Sequence, residues 1–221
     1  LRAGAGLTTI TGTEKIIDFP ELMQIGFEDV AAFLQSKKIN AIGIGPGLGK
    51  SEKVKHLLEE IFTTAKTPVV IDADALNIIA EDDNLFKLIP ENSILTPHPK
   101  EFERLFGKFS HWDELPDLMR NKAQAHKIFI IYKRAYTIIA APDGTLYFNS
   151  TGNAGMATGG SGDVLTGIIT ALCAQEYSSL DACIAGVYLH GLAGDIAMDA
   201  SGSTNLIATD IINAIPEAIA T

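Results

Sequence analysis

The sequence predicts an α/β protein with a mostly parallel central sheet that carries helices on both faces. Short apolar runs, typical of buried strands, alternate along the chain with longer runs of helical period. Several apolar runs end in glycine-rich or polar clusters, which is where the strands of open α/β sheets hold ligands. The chain has 221 residues, of which 47% are hydrophobic, enough for one large domain with a sizeable core.

The N-terminal part of the chain begins with a strand, a helix and a second strand. The strands are Leu7–Ile10 and Ile39–Ile44, and the helix between them covers Asp29–Gln35. The second strand runs into the glycine turn Gly45–Gly49. An amphipathic helix follows over Ser51–Thr64, and Ser51 or a neighbour can be its N-cap. This turn lacks the spacing of a phosphate-binding P-loop, so it is a weak signal by itself.

The next predicted strand, Pro68–Ile71, ends in two acids and an amide within Asp72–Asn77. Acids and amides at the carboxyl end of a central strand indicate a functional site in open α/β sheets. A structural alternative is that Asp74 caps the following helix while Asp72 closes a turn, and both roles can coexist.

A histidine follows the predicted strand Ser93–Thr96 and stands between Pro97 and Pro99. Both prolines restrict the backbone, so His98 is presented from a rigid, extended loop. Pro99 can open the next helix, which extends through Leu105. A histidine fixed at a strand end favours a ligand contact over a place in the core.

A helix over Leu115–His126 and a strand over Ile128–Tyr132 lead into the polar segment Lys133–Thr137. The strands Ile138–Ala141 and Thr145–Asn149 then form a predicted hairpin. This hairpin delivers the chain into a glycine-rich loop.

The glycine-rich loop over Asn149–Gly162 is the strongest functional signal in the sequence. It ends in Gly159-Gly160-Ser161-Gly162, and an apolar helix follows from Val164. Glycines let backbone N–H groups converge, and the helix N-terminus adds unpaired N–H groups and a positive dipole end, so the two together predict an anion site. Asp163 at the helix entrance either caps the helix or accepts a proton from a hydroxyl that faces a bound phosphate. We favour the second role, because a glycine run is unfavourable in chain entropy unless something must approach closely.

The C-terminal part of the chain is predicted to be helical. A helix pair or one bent helix covers Ser179–Ala200, and a final helix starts at Thr209 or Asp210. Three glycines in the longer stretch indicate close helix packing. His190 in the same apolar run is predicted to be a hydrogen-bonded core histidine and not a ligand.

Composition narrows the functional classes. A net charge of −10 argues against a broad nucleic-acid surface, and no uninterrupted apolar segment is long enough to span a membrane. Cys173 and Cys183 match no metal-site spacing and favour reduced thiols in a cytoplasmic protein. The chain starts at Leu1 without a methionine, so we expect residues 1–221 to be a single domain that lacks its N-terminal segment.

Four motifs in this order resemble the NAD(P)H-hydrate dehydratase family of the ribokinase-like superfamily: Gly45–Gly49, Asp72–Asn77, Thr96–Glu101 and Asn153–Leu165. The resemblance extends over nearly the whole chain and implies a ribokinase-like fold. It also implies repair of the hydrated coenzymes NADHX and NADPHX to NADH and NADPH, with ADP favoured over ATP as phosphoryl donor and with Mg²⁺ present. The family further implies a homo-oligomer, often a tetramer, and fusion to or cooperation with an NAD(P)HX epimerase.

The resemblance also assigns residues to the site. Asp163 is the expected catalytic base, and the substrate-binding residues are Gly47, His98, Asp163, Asp72 and Asn77. The nucleotide-binding residues are Lys133, Arg134, Ala135, Tyr136, Thr137 and Gly162, and the anion hole consists of Gly159, Gly160, Ser161 and Gly162. No residue is assigned to a dedicated metal site. Arg134 stands where the family usually has glycine, and we expect its guanidinium to turn outward.

Two other functions are compatible with parts of this pattern. A small-molecule kinase of the hydroxyethylthiazole-kinase type would use the same glycine loop and base and stop after phosphoryl transfer. The loop does not separate these two enzymes, whereas the Asp72–Asn77 and Thr96–Glu101 segments favour the dehydratase. A non-catalytic nucleotide sensor is disfavoured by the presence of Asp163.

Overall fold

The structure is a computed structural model that describes residues 1–12, 19–202 and 205–221. In this part of the chain the strands are β1 Thr8–Gly12, β2 Leu22–Gly26, β3 Ile42–Ile44, β4 Val69–Ile71, β5 Ile94–Leu95, β6 Phe129–Tyr132, β7 Ile138–Ala140 and β8 Leu146–Phe148. The helices are α1 Val30–Ser36, α2 Glu52–Thr64, α3 Ala73–Ala80, α4 Asp83–Lys87, α5 Pro99–Phe106, α6 Glu114–His126, α7 Ser161–Ala174, α8 Ser179–Ser201 and α9 Ala208–Ala220.

Strands β3 to β8 form one sheet in sequence order, and within the described residues β1 pairs with β2 apart from it. Neighbouring strands from β3 to β6 are parallel, whereas β7 and β8 join as an antiparallel hairpin. Strands β3 to β6 therefore end at the same edge, from which the chain continues into Gly45, Asp72, Thr96 and Lys133. The prediction of a mostly parallel sheet is confirmed, and its carboxyl edge collects the predicted motifs.

Helices cover both faces of this sheet, as predicted. On one face α2, α3, α5 and α6 pack against strand residues such as Ile71 and Leu95. On the other face α7, α8 and α9 pack against their chain neighbours Val70 and Ile94. Successive strand side chains point to opposite faces, so strands that are apolar throughout are buried on both sides.

Several element boundaries differ from the predicted ones. The sequence does not predict β2, because its side chains are mostly half-buried without clear alternation, and its described partner is β1 alone. Strand β3 starts at Ile42 and not at Ile39, so the strand is shorter than its apolar run. The stretch over Ser179–Ala200 is one continuous helix, α8, because its glycines lie against packed neighbours and do not interrupt the helix.

Helix α8 is long and apolar enough to cross a membrane by length and composition alone, which differs from the sequence-based expectation. In the structure α8 packs against α7 and α9 and contributes Cys183, Val187 and Ala193 to the core. A buried core helix meets the same two criteria.

Candidate active site

Helix α7 begins within the glycine-rich loop, at Ser161 and not at Val164 as the apolar pattern predicts. Its N-cap, Gly160, has φ +86°, a left-handed conformation that glycine adopts without strain. Gly162 and Asp163 therefore lie in the first turn, where their N–H groups find no acceptor among the described residues. Unpaired donors at a helix N-terminus favour a bound anion such as phosphate.

Helix α8 holds the preceding part of the loop. Asp195 accepts hydrogen bonds from the N–H of Gly152 at 2.9 Å and from the side-chain amide of Asn153 at 2.9 Å. Gly191 and Gly194 let the loop lie directly on the helix, because a Cβ at either position would collide with a loop side chain. The sequence predicts close packing for these glycines but not that their partner is the loop. For Asp195 the signal is a carboxylate within the mostly apolar stretch 182–198 of α8.

His190 ties α8 to the first residue of α7. Its Nε2–H donates to the Ser161 carbonyl oxygen at 2.9 Å, and the Ser161 hydroxyl lies 3.3 Å from the same nitrogen. Desolvation lowers the pKa of His190 to about 4, although the hydrogen bond to Ser161 opposes this, so the ring is neutral at physiological pH. The prediction of a hydrogen-bonded histidine is confirmed, but the residue is half-buried at the contact between α8 and the glycine loop and not in the core.

Asp72 is a buried carboxylate, with 1% of the residue exposed. Its Oδ1 accepts from the Ala73 N–H at 2.8 Å and from the Lys133 ammonium at 2.6 Å. Its Oδ2 accepts from the Thr166 hydroxyl at 2.8 Å. The cap of α3 is thus Asp72, and the alternative that Asp74 is the cap is wrong. Because both oxygens are engaged, the geometry favours a positioning role for Asp72 over direct substrate contact.

The turn Gly45–Gly49 lies against the end of β4. Gly45 has φ +131°, and a Cβ there would collide with the Asp72 carbonyl oxygen, so the close approach requires glycine. The N–H of Gly49 donates to the Asp74 carboxylate at 2.9 Å. Gly47 lies between these two contacts with open space beside its Cα, which leaves room for a ligand.

Lys133 and Asp163 bring opposite charges to the start of α7. The Lys133 ammonium lies 3.2 Å from the position that a Cβ at Gly162 would take. Asp163 is exposed, yet partial desolvation raises the pKa of its carboxyl, the Asp72 charge adds to this rise, and Lys133 opposes it. A helix N-terminus by itself favours the ionised form of a carboxyl, which is the form that a base requires. The net shift has the opposite direction, because desolvation and the Asp72 charge raise the pKa of Asp163 more than Lys133 lowers it.

His98 caps helix α5 with its ring. Its Nδ1 accepts from the N–H groups of Lys100 at 3.1 Å and Glu101 at 3.4 Å, while Glu101 accepts from the His98 N–H at 2.9 Å. Since Nδ1 is an acceptor, the proton of the neutral ring is on Nε2. The Nε2 lies 3.4 Å from Glu101 Oε1, and the side chain is 45% exposed, so a ligand that accepts from this N–H would share or replace the contact with Glu101.

The predicted nucleotide-binding segment after β6 is largely exposed beyond its lysine. Arg134 turns outward, as expected, and its guanidinium carbon stacks 4.0 Å from the centre of the Trp112 ring. Ala135 and Tyr136 are exposed. The Thr137 hydroxyl donates to the Arg134 carbonyl at 3.1 Å and closes the turn.

Asn77 lies one turn into α3. Its amide donates to the Ala73 carbonyl at 3.1 Å, and its oxygen accepts from Arg104 on α5. The first hydrogen bond is within α3, the second joins α3 to α5, and neither reaches Lys133 or Asp163. The structure therefore brings Asn77 near the same sheet edge but not into the charged cluster at α7.

A resident metal cage does not fit this site. Within the described residues, no group of three or more His, Cys, Asp or Glu side chains could hold a metal ion. Proteins often bind Mg²⁺ with only one or two carboxylates and the phosphates of a nucleotide. Any Mg²⁺ used here would therefore arrive with the nucleotide.

Comparison with known proteins identifies relatives over nearly the whole chain. The family model described as NAD(P)H-hydrate dehydratase matches residues 1–217. The bifunctional NAD(P)H-hydrate repair enzyme of Moorella thermoacetica is 36% identical over 98% of this chain and 44% of that protein. The ADP-dependent (S)-NAD(P)H-hydrate dehydratase of Neisseria meningitidis serogroup B is 38% identical over 89% of this chain and 67% of that protein.

A solved structure shares the architecture. The ADP/ATP-dependent NAD(P)H-hydrate dehydratase from Bacillus subtilis, co-crystallised with ATP and Mg²⁺ and soaked with CoA, has a TM-score of 0.85 and 30% identity over 99% of this chain and 82% of that chain. The predicted ribokinase-like α/β fold is confirmed. The chain spans about half the length of the bifunctional relatives it matches. Since the family model matches nearly every residue, the chain belongs to the NAD(P)H-hydrate dehydratase family.

Proposed function

We propose that this chain removes water from hydrated NADH and NADPH and so restores the reduced coenzymes, with a nucleotide as phosphoryl donor. The main support for this proposal is the arrangement at the start of α7. There, Asp163 stands beside N–H groups that lack a described acceptor and beside the Lys133 ammonium. A base next to an anion site is what phosphoryl transfer to a hydroxyl requires. The name of the Neisseria meningitidis relative supports ADP over ATP as the donor.

In the first step, Asp163 accepts the proton of the ring hydroxyl while that oxygen attacks the terminal phosphorus of the nucleotide. The bond from phosphorus to the bridging oxygen breaks, and the nucleotide leaves with one phosphate fewer. The N–H groups of Gly159, Gly160 and Gly162 and the Lys133 ammonium stabilise the charge of the transferred group. The Ser161 N–H, which the sequence also assigned to the anion hole, instead donates to the Thr158 carbonyl at 3.4 Å. His98 donates its Nε2–H to the hydrate, which occupies the space beside Gly47.

In the second step, the phosphorylated oxygen leaves the ring. A hydroxyl is a poor leaving group, whereas phosphate departs readily with the electrons of the C–O bond. Loss of a proton from the neighbouring ring carbon then forms the double bond of the dihydronicotinamide. The sum is hydrate plus ADP giving coenzyme, AMP and phosphate, with the released protons passing to phosphate and solvent.

The same proposal covers the setting of the reaction. Mg²⁺ accompanies the nucleotide phosphates, a role supported by the ATP and Mg²⁺ in the Bacillus subtilis crystals. The reaction takes place in the cytoplasm. The protein is a homo-oligomer, in the form of a tetramer, and light scattering of the purified chain would test this assembly. An NAD(P)HX epimerase is the partner activity, and the greater length of the bifunctional relatives supports a second module in those proteins.

Incubation of the purified protein with hydrated NADH and either ADP or ATP tests the function. We expect the absorbance of NADH to return and AMP to form in equal amount when ADP is the donor. Nucleotide turnover only after addition of a hydroxyethylthiazole-type alcohol would indicate a small-molecule kinase instead. Nucleotide binding without turnover of any kind would indicate a sensor.

Replacement of His98 by Ala should raise the KM for the hydrate about 2- to 10-fold, the range expected for one hydrogen bond. The Kd for ADP should stay nearly the same, because the nucleotide lies along Lys133–Thr137 in this proposal. His98→Asn is the matched control for folding, since Asn is a good N-cap for α5 but places no donor where Nε2 stood. Equal weakening of hydrate and ADP binding would contradict the assigned role.

A further inference from the structure

Thr166 is a buried residue of α7 that neither step of the proposed reaction uses. The residue is 4% exposed, and its hydroxyl donates to the Asp72 Oδ2 at 2.8 Å. The Asp72 Oδ1 accepts from the Lys133 ammonium at 2.6 Å. The three side chains thus form a chain of hydrogen bonds from the buried face of α7 to the first residue of the nucleotide segment.

Two opposite charges of this hydrogen-bond chain, the Lys133 ammonium and the Asp72 carboxylate, lie near the first turn of α7. Measured from the position of a Cβ at Gly162, the Lys133 Nζ is at 3.2 Å and the Asp72 Oδ2 is at 3.8 Å. A cation and a carboxylate oxygen therefore both lie close to Gly162, whose N–H is one of the groups that would hold phosphate. Whether the positive or the negative charge dominates the potential at Gly162 depends on which hydrogen bonds each Asp72 oxygen accepts.

We propose that Thr166 is a positioning residue that acts through Asp72 to keep the Lys133 ammonium available to the terminal phosphate of the nucleotide. This inference rests on the proposed function. By donating to Oδ2, the Thr166 hydroxyl partly neutralises the oxygen that lies near Gly162, and it leaves Lys133 a hydrogen bond to Oδ1 alone.

Loss of the Thr166 hydroxyl would leave a buried carboxylate oxygen without its donor. A carboxylate oxygen without a donor costs free energy when water cannot replace the donor, and Asp72 is only 1% exposed. The carboxylate would then draw the ammonium onto both oxygens or present an uncompensated negative charge beside the anion site. Both changes weaken phosphate binding, although no group that touches the phosphate has been removed.

The electrostatics of Asp163 agree with this geometry. Asp72 raises the pKa of the Asp163 carboxyl and Lys133 lowers it, so both charges are felt at the start of α7. A shift in the positions of the Asp72 and Lys133 charges therefore changes the electrostatic potential at the start of α7, where the phosphate and the Asp163 base lie together.

Three variants test the role of the hydroxyl. Thr166→Val removes it and keeps the shape of the side chain, and Thr166→Ser restores it. Thr170→Val is the matched control, because Thr170 lies one turn further along α7 and its hydroxyl donates to the Thr166 carbonyl at 2.7 Å. Calorimetry measures the Kd for ADP and for AMP. The difference between the two values gives the contribution of the terminal phosphate to binding.

We expect Thr166→Val to weaken ADP binding about 10-fold, the effect of one hydrogen bond to a charged group, and to change AMP binding less than about 2-fold. Thr166→Ser and Thr170→Val should stay within about 2-fold of the original protein for both nucleotides. The KM for the hydrate should not change, whereas a general loss of structure would weaken both substrates.

Equal weakening of ADP and AMP by Thr166→Val, no recovery in Thr166→Ser, or the same defect in Thr170→Val would overturn the inference. ADP binding can be measured without turnover, so a protein that lacks dehydratase activity would count against the proposed function alone. If Thr166→Val is less stable, the ratio of ADP to AMP affinity still decides, because partial unfolding reduces the number of sites and not that ratio.

Discussion

Replacement of Asp163 by Asn should lower kcat about 10²- to 10⁴-fold, the usual contribution of a positioned general base. This corresponds to roughly 3–5 kcal/mol of activation barrier. Asn keeps the shape of the side chain and much of its capping ability, but it cannot accept the proton of the ring hydroxyl. Steady-state assays with hydrated NADH and ADP measure the effect.

Stability distinguishes a base from a cap at Asp163. The pKa of this carboxyl is raised in the folded protein, so folding disfavours its ionised form. Above that pKa the group is ionised in both the folded and unfolded states, and folding then carries an unfavourable term that Asn lacks. Asp163→Asn should therefore be as stable as the original protein at pH 7, or more stable, with ADP affinity little changed. An unfolded variant whose folded fraction keeps full turnover would identify a structural cap.

Replacement of Lys133 by Met should lower the free energy of unfolding by about 3–5 kcal/mol, the typical loss when one partner of a buried ion pair is removed. The Asp72 carboxylate would lose the cation 2.6 Å from its Oδ1. Thr166 and the Ala73 N–H would remain as donors to Asp72, but neither carries a charge. Urea unfolding at pH 7 measures the change.

A surface ion pair provides the matched control. The Lys127 ammonium lies 2.6 Å from Glu91, and both side chains are 63% exposed, so Lys127→Met should lower stability by less than about 1 kcal/mol. The double variant Asp72→Asn with Lys133→Met removes both charges of the buried pair and should recover most of the lost stability. Equal losses in the two single lysine variants would show that burial of the Asp72 pair has no special effect.

Several features that depend on near neighbours in the chain were predicted correctly. Ser51 caps α2 because its hydroxyl accepts from the Val54 N–H, only three residues away. The hairpin of β7 and β8 is closed by a turn in which Asp143 accepts from the Thr145 N–H. For the same reason, the alternation of apolar strands and helices was sufficient to predict the α/β class.

Features that depend on distant partners could not be predicted in this way. Asp72 and Asp74 are both suitable caps by local rules, and the choice between them follows from contacts elsewhere. Asp72 meets Lys133 and Thr166, which lie 61 and 94 positions away, while Asp74 binds the Gly49 N–H. Strand β2 was not predicted because its five residues show no clear strand pattern by themselves. The strand is formed by pairing with β1.

The order of residues specifies which chemical groups this protein has and on which kind of element each one stands. These groups are a glycine loop before a helix, an acid in the first turn of that helix, and a histidine between prolines. Which of these groups are in contact follows from how the elements pack in three dimensions. Asp195 holds the loop, Thr166 reaches Asp72, and Asp72 in turn fixes Lys133. The physical reason is that hydrogen bonds within a turn follow from adjacent residues, whereas a buried polar group takes its partner from whichever element packs against it.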